Sequence, residues 1–170
     1  MNNIRNITLL LLFVFLTSCM NVKKIDIAEF SDKLKIQEEL GLKLFENYKA
    51  NPKKYSNSHL NLCDLKYTKI KLRDGLEYFI AEPPKENMVI LGRHVKIFQG
   101  SISYSTKSCI VMTQPEGVLS SAVVITHLLS NIPTEFHVFV SLKYKKTVYV
   151  GTKIGNWIVK NGKISVLDDK

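Results

Sequence analysis

Four histidines, His59, His94, His127 and His137, are the side chains of this 170-residue chain best suited to proton transfer or metal binding near neutral pH. None stands in a His-x-x-x-His or His-x-x-Glu-His pattern, so no sequence-local zinc site is expected. His137 falls on the second face of an alternating run and His94 follows Arg93 at an expected strand start, which places both in solvent. For nucleophilic chemistry, Gly100-Ser101-Ile102-Ser103-Tyr104 lacks the second glycine and following helix of a nucleophile elbow. Glu77, Glu82, Glu86 and Glu116 are the carboxylates of interest, but a glycosidase pair needs two held across a cleft, and the spacing singles out none. Trp157, after Gly155-Asn156, belongs to an apolar hairpin face and is expected to pack in the core. No P-loop or dinucleotide fingerprint is present. The expectation is a protein without catalytic residues, metal or cofactor.

A different chemistry is written near the amino terminus. Leu16-Thr17-Ser18-Cys19 follows the apolar run Ile7 to Leu16, which only Thr8 interrupts, and Arg5 precedes it. That run is ten residues, whereas a spanning helix needs roughly 20. Thr17 and Ser18 are small, as a signal peptidase cleft requires. The segment resembles a bacterial lipoprotein signal peptide ending in a lipobox. The resemblance implies cleavage between Ser18 and Cys19, a thioether-linked diacylglycerol on Cys19 and an N-acyl (palmitate-type) chain. Two or three chains make such an anchor stable where one is marginal. It further implies a place in the cell envelope. With Met20 and not Asp after the cysteine, that place is the outer membrane facing the periplasm in a Gram-negative host.

With Cys19 taken by lipid, Cys63 and Cys109 remain, an even pair in an exported and oxidising setting. A disulfide is expected. The two lie 46 residues apart, and closing such a loop contributes about 4 kcal/mol in the chain-entropy picture. No Cys-x-x-Cys spacing and no neighbouring histidine favours a metal pair or a reactive thiol. The mature part would keep all 15 acidic residues and lose only Arg5 of the 24 basic ones, leaving it near +8. Outside the cytoplasm that balance suits anionic lipid, lipopolysaccharide, peptidoglycan or an acidic protein, and makes nucleic acid a poor partner. It equally suits a solvated surface, since no run exceeds two consecutive lysines.

These residues need elements to hold them. Residues 1–18 form the signal peptide and residues 19–25 the acylated start and tether, with Lys23 and Lys24 close to head groups. Residues 26–167 form one domain. Asp26 and Glu29 open an amphipathic helix, with Ile27, Phe30, Leu34, Gly41, Leu44, Phe45 and Tyr48 on one stripe. Gly41 inside that stripe allows close approach to a sheet, and Asn51-Pro52 ends the helix.

Asp74-Gly75 marks a hairpin. A three-residue loop, Arg73 to Gly75, gathers Thr68, Ile70, Leu72, Leu76, Tyr78 and Ile80 on one face and sets Lys71 opposite Glu77. Further strands are expected near Val89, over Val95–Phe98 and over Cys109–Met112. Residues 118–130 have a helical spacing and a strand-like run Val123-Val124-Ile125-Thr126; a helix is expected, ended by Asn131-Ile132-Pro133. Phe136, Val138, Val140, Leu142 and Tyr144 alternate as in a strand, and Asn161-Gly162 closes a type I′ hairpin with Trp157, Val159, Ile164 and Val166 on one face.

The expected fold class is α+β: an N-terminal helix packed on an antiparallel sheet or open β-barrel, with a second helix over residues 118–130. The expected function is non-catalytic binding of a protein partner at the membrane, as an immunity-type lipoprotein or an accessory of an envelope or secretion assembly. The competing expectations are a small hydrolase of peptidoglycan or lipid, in which histidines converge with a carboxylate, and a lipid or lipopolysaccharide carrier, which needs an apolar cavity.

Overall fold

Asp26 begins the first element: its carboxylate accepts from the Ala28 N–H at 3.0 Å and starts α1, Ile27–Ala50. The computed structural model describes residues 25–51, 55–56, 65–106, 108–113 and 122–167. After α1 come β1 (Tyr55–Ser56), β2 (Lys66–Lys71), a 3₁₀ turn (Arg73–Gly75), β3 (Glu77–Glu82), β4 (Met88–Ile90), β5 (Val95–Phe98) and β6 (Ser101–Tyr104). They are followed by β7 (Val111–Thr113), β8 (Ala122–Thr126), α2 (Glu135–Lys143), β9 (Thr147–Gly151), β10 (Asn156–Lys160) and β11 (Lys163–Val166). The class is α+β.

The strands form a five-stranded antiparallel sheet in the order β1-β2-β3-β5-β6, a four-stranded sheet in the order β11-β10-β9-β8, and the pair β4-β7. Among the described residues they close no barrel. Both hairpins follow their turn chemistry. Lys71 lies opposite Glu77 and Ile70 opposite Tyr78, as the three-residue loop requires, and Lys71 Nζ reaches Glu77 at 3.0 Å. Gly75 has φ +74°, which a glycine adopts without strain. At the second hairpin Asn161 and Gly162 have φ of +51° and +81°, and Lys160 pairs with Lys163.

The main core gathers Ile70, Tyr78 and Ile80 from one sheet and Val123, Ile125, Val148, Val150, Trp157 and Val159 from the other. Leu34 and Leu44 of α1 and Phe136, Val138 and Phe139 of α2 complete it. A smaller cluster, Tyr67, Phe79, Ala81, Ile90 and Val95, buries the opposite face of the first sheet. The expected apolar face of the first hairpin is therefore present, but its other face is buried too.

Three expectations are overturned. Residues 122–126, expected in a helix, are β8, paired in parallel with β9 from Ala122↔Thr147 to Thr126↔Gly151. Residues 118–121 lie outside the described residues. Residues 135–143, expected as a strand, are α2. The cause is its position between layers: every residue from Glu135 to Ser141 is buried, so no polar face marks the helical period. Gly41 approaches this helix and not a sheet, because a Cβ there would overlap the Val138 side chain and lie 2.9 Å from the Glu135 carbonyl. The four-stranded sheet is thus mixed and not purely antiparallel.

Candidate functional site

Glu135 opens α2, and its N–H donates to the Gln37 side chain at 3.0 Å. Although it is almost fully buried, its Oε1 accepts from Lys96 Nζ at 2.6 Å and from the Tyr78 hydroxyl at 3.2 Å. The carboxylate is therefore neutralised inside the protein, and burial with that negative charge beside it raises the Tyr78 pKa. Glu135 and Lys96 line a cleft of about 430 Å³ with Ile102 and Tyr104 from β6, and with His127 and Thr134 from the segment joining β8 to α2.

Two histidines meet behind the cleft. The rings of His127 and His137 stand edge to face, 4.7 Å apart, and both residues are buried. His137 Nδ1 accepts from the Thr134 N–H at 2.9 Å, closing the first turn of α2 in the manner of a capping box. An acceptor Nδ1 places the ring proton on Nε2, which finds no partner among the described residues; neither does either nitrogen of His127. The Ser105 carbonyl faces His127 outside hydrogen-bonding geometry. Burial pushes the His137 pKa down to about 3, helped by His127 and His94, and lowers that of His127.

His94 is a cross-link. Its Nδ1 accepts from the Ala81 N–H at 3.1 Å and its Nε2 donates to the Ile90 carbonyl at 3.3 Å, while its ring stacks on Phe136. Burial pushes its pKa down to about 3. The sequence places both His94 and His137 in solvent, and both are buried. His94 is covered because both faces of the first sheet are packed, and His137 because its segment is a helix. Pro133-Thr134-Glu135 carries the signal for that helix, with a capping residue and an acid in the first turn.

His94 and His137 stay uncharged at neutral pH, and the Glu135 carboxylate is ion-paired with Lys96. A general base acts best with a pKa near the working pH; His94 and His137, near 3, are far too weak at neutrality, and burial lowers the pKa of His127, which lines the cleft, as well. The cleft instead offers hydrogen-bonding groups between exposed apolar side chains, of which Ile102 is 51% exposed.

Glu82 gathers a second buried network. It accepts from Thr68 Oγ1 at 2.7 Å, Tyr48 hydroxyl at 2.9 Å and Lys143 Nζ at 3.0 Å, joining β2, β3 and both helices. Glu77 pairs with Lys69 and Lys71, whose hydrogen bonds lower its pKa. Trp157 is fully buried, with Nε1 donating to Thr152 Oγ1 at 3.0 Å. A separate groove of about 540 Å³ is lined by Leu40, Leu72, Leu76 and Phe98 together with exposed Lys43, Lys71 and Arg73.

Ser18, Cys19, Lys23, Lys24, His59, Cys63 and Glu116 lie outside the described residues. Cys109 lies within them and is disulfide-bonded. Among the described residues no three His, Cys, Asp or Glu side chains cluster as metal ligands, and no helix is long and apolar enough to cross a membrane. The chain matches no protein-family model, no curated protein and no solved structure.

Proposed function

We propose that this chain is a lipid-anchored envelope protein that binds a protein partner beside the membrane without catalysing a reaction. The observation that carries the reading is Leu16-Thr17-Ser18-Cys19 after a short apolar run, with only Met20 to Ile25 between the lipidated cysteine and the folded domain. Six residues reach at most about 20 Å, so the partner is met close to the bilayer. In this reading α1 docks on its own domain through Gln37 and Glu38, and Cys63 is the partner of Cys109. An immunity-type protein and an accessory of an envelope assembly are the two forms it takes. The cleft beside Glu135 supports it, because its charges are paired with each other and its rim carries exposed Ile102 and Leu129.

Metabolic labelling with palmitate tests the anchor: the wild-type chain takes up label and Cys19→Ala does not. Affinity capture from solubilised membranes then tests the partner. One stoichiometric protein is expected, and Ile102→Asp, on an exposed side chain, reduces its recovery at least about tenfold, as loss of an interface anchor does. A chain that captures nothing under several extraction conditions counts against partner binding.

One observation favours a hydrolase instead: His127 and Glu135 line one cleft, with His137 against His127 behind it. That reading needs a histidine that holds a proton near neutrality. It predicts release of fragments from peptidoglycan or lipid, abolished by His127→Ala. The carrier reading lacks comparable support, since Trp157, Tyr78 and Phe139 fill the core where a lipid would lie.

A further inference from the structure

Ile25, just before α1, has a fixed place: a Cβ at Gly155 would overlap its side chain. Gly155 closes the Thr152–Gly155 turn, with the Thr152 N–H donating to the Gly155 carbonyl at 2.9 Å. Thr152 Oγ1 reaches across to the Asn131 carbonyl at 2.9 Å, and the His127 N–H donates to the Gly151 carbonyl at 2.7 Å. These contacts bring the start of α1, the turn after β9 and the segment after β8 to one end of the domain. Parallel pairing of β8 with β9 is what makes both strands finish there.

That end is apolar at its tip. Leu128 and Leu129 are adjacent and 56% and 57% exposed, and Ile27 is 50% exposed. Its charges are mixed, with exposed Lys153 in the turn after β9 and exposed Asp26 and Glu29 at the start of α1, so it has no single-sign field. The hairpin tips that carry Arg73 and Phe98 instead line a groove with Leu40, Lys43 and Asn47, roughly 20–30 Å further along α1 at 1.5 Å per residue.

We propose that this end is a membrane seat, in which Leu128 and Leu129 enter the lipid head-group boundary and fix how the domain stands on the bilayer. The proposal rests on the lipid-anchor reading, because the tether from Cys19 delivers this end, and not the hairpin tips, to the surface. The occupant is the phospholipid surface. The chain arrives there at Ile25, and two exposed leucines match the depth of about 5–10 Å reached by interfacial apolar side chains. Because the contact is apolar, it forms on neutral and anionic lipid alike. The orientation it imposes sets the cleft beside Glu135, whose rim Leu129 forms, next to the membrane surface, and leaves the groove of Leu40, Lys43 and Asn47 farther from it.

Full-length lipidated chain carrying Leu128→Trp, reconstituted into phosphatidylcholine vesicles with or without brominated acyl chains, tests the seat. Phe98→Trp, at an exposed hairpin tip, is the reference, and buried Trp157 adds the same background to both. Leu128→Trp emission is expected to fall at least about twofold in brominated vesicles, with Phe98→Trp unchanged, as interfacial insertion requires. If the protein floats with the vesicles and the two variants are quenched equally or not at all, the seat is wrong and the anchor stands. If the chain does not float with the vesicles, the anchor reading fails and the seat fails with it.

Discussion

Glu82 and Lys143 form an ion pair buried on both sides, 3.0 Å from Oε2 to Nζ, with side chains only 6% and 10% exposed. The Lys143 ammonium also lies 4.5 Å from the Tyr48 ring centroid and 5.3 Å from that of Tyr144. Glu82→Ala removes the carboxylate and leaves a buried cation without it, which costs about 3–5 kcal/mol. Replacing both partners with apolar residues, Glu82→Leu with Lys143→Met, costs less than Glu82→Ala alone. Urea denaturation of the three proteins checks this; a Glu82→Ala loss under about 1 kcal/mol contradicts it.

Acid weakens the fold through His94 and His137. Both have folded pKa values of about 3, below the ordinary 6.5, so below pH 6.5 the unfolded chain binds protons that the folded chain refuses. Their stabilisation is complete well above pH 6.5 and declines as pH falls through 6.5 towards 3. Two such groups together lose about 4 kcal/mol between pH 8 and pH 5, most of it below pH 6.5. His137→Gln keeps an acceptor for the Thr134 N–H and makes that slope shallower, with His94 and the likewise lowered His127 supplying what remains. Denaturation midpoints between pH 8 and pH 5 measure it, and parallel slopes for the two proteins contradict it.

Gly41→Ala and Gly75→Ala separate two reasons for keeping glycine. At position 41, a helix interior, alanine gains about 1 kcal/mol of helix propensity. The new methyl meets Val138 and the Glu135 carbonyl, and such overpacking costs about 1–3 kcal/mol. Overlap with a branched core side chain is expected to win, so Gly41→Ala destabilises. At Gly75 an added methyl would have nothing within 4 Å; there is only a φ of +74°, so alanine costs about 1 kcal/mol of backbone strain. Thermal melts of both variants decide; a stabilised Gly41→Ala protein refutes the close approach.

Reduction tests the pairing of Cys63 with Cys109. Peptide mapping without reductant is expected to recover the two cysteines in one linked fragment. Closing 46 residues predicts that reductant lowers stability by about 4 kcal/mol. A linked fragment that contains Cys109 and a different cysteine excludes the pairing.

The hairpins are legible in the sequence because a turn is decided by the few residues within it. Asp74-Gly75 and Asn161-Gly162 set their registers whatever packs above them. The segment from Ala122 to Lys143 reads wrongly because its helix is buried all round, while its strand is a short apolar run at a sheet edge with Val124 74% exposed. In α2 the apolar residues Phe136, Val138 and Val140 alternate by chance while neighbours between them are buried as well. In β8 a short apolar run looks the same in either state. Asn131-Ile132-Pro133 has the composition of a helix end, whereas it precedes a helix. The cleft is illegible for a related reason. His127, Glu135 and Lys96 come together only after β8, α2 and β5 are packed, and separations of this kind leave no mark in local spacing.

Glu38 reaches the last strand of the domain: its side chain accepts from the Ile164 N–H at 2.8 Å and from Lys163 Nζ at 2.8 Å. The first helix is thereby fastened to residues synthesised about 125 positions later. Contacts of such sequence separation form late, because the intervening chain must be brought together first. A chain made from its amino terminus cannot complete this fastening until its final hairpin is present. The hydrogen bonds that steady the finished domain are therefore among the last to form, and the domain closes only when its two ends meet.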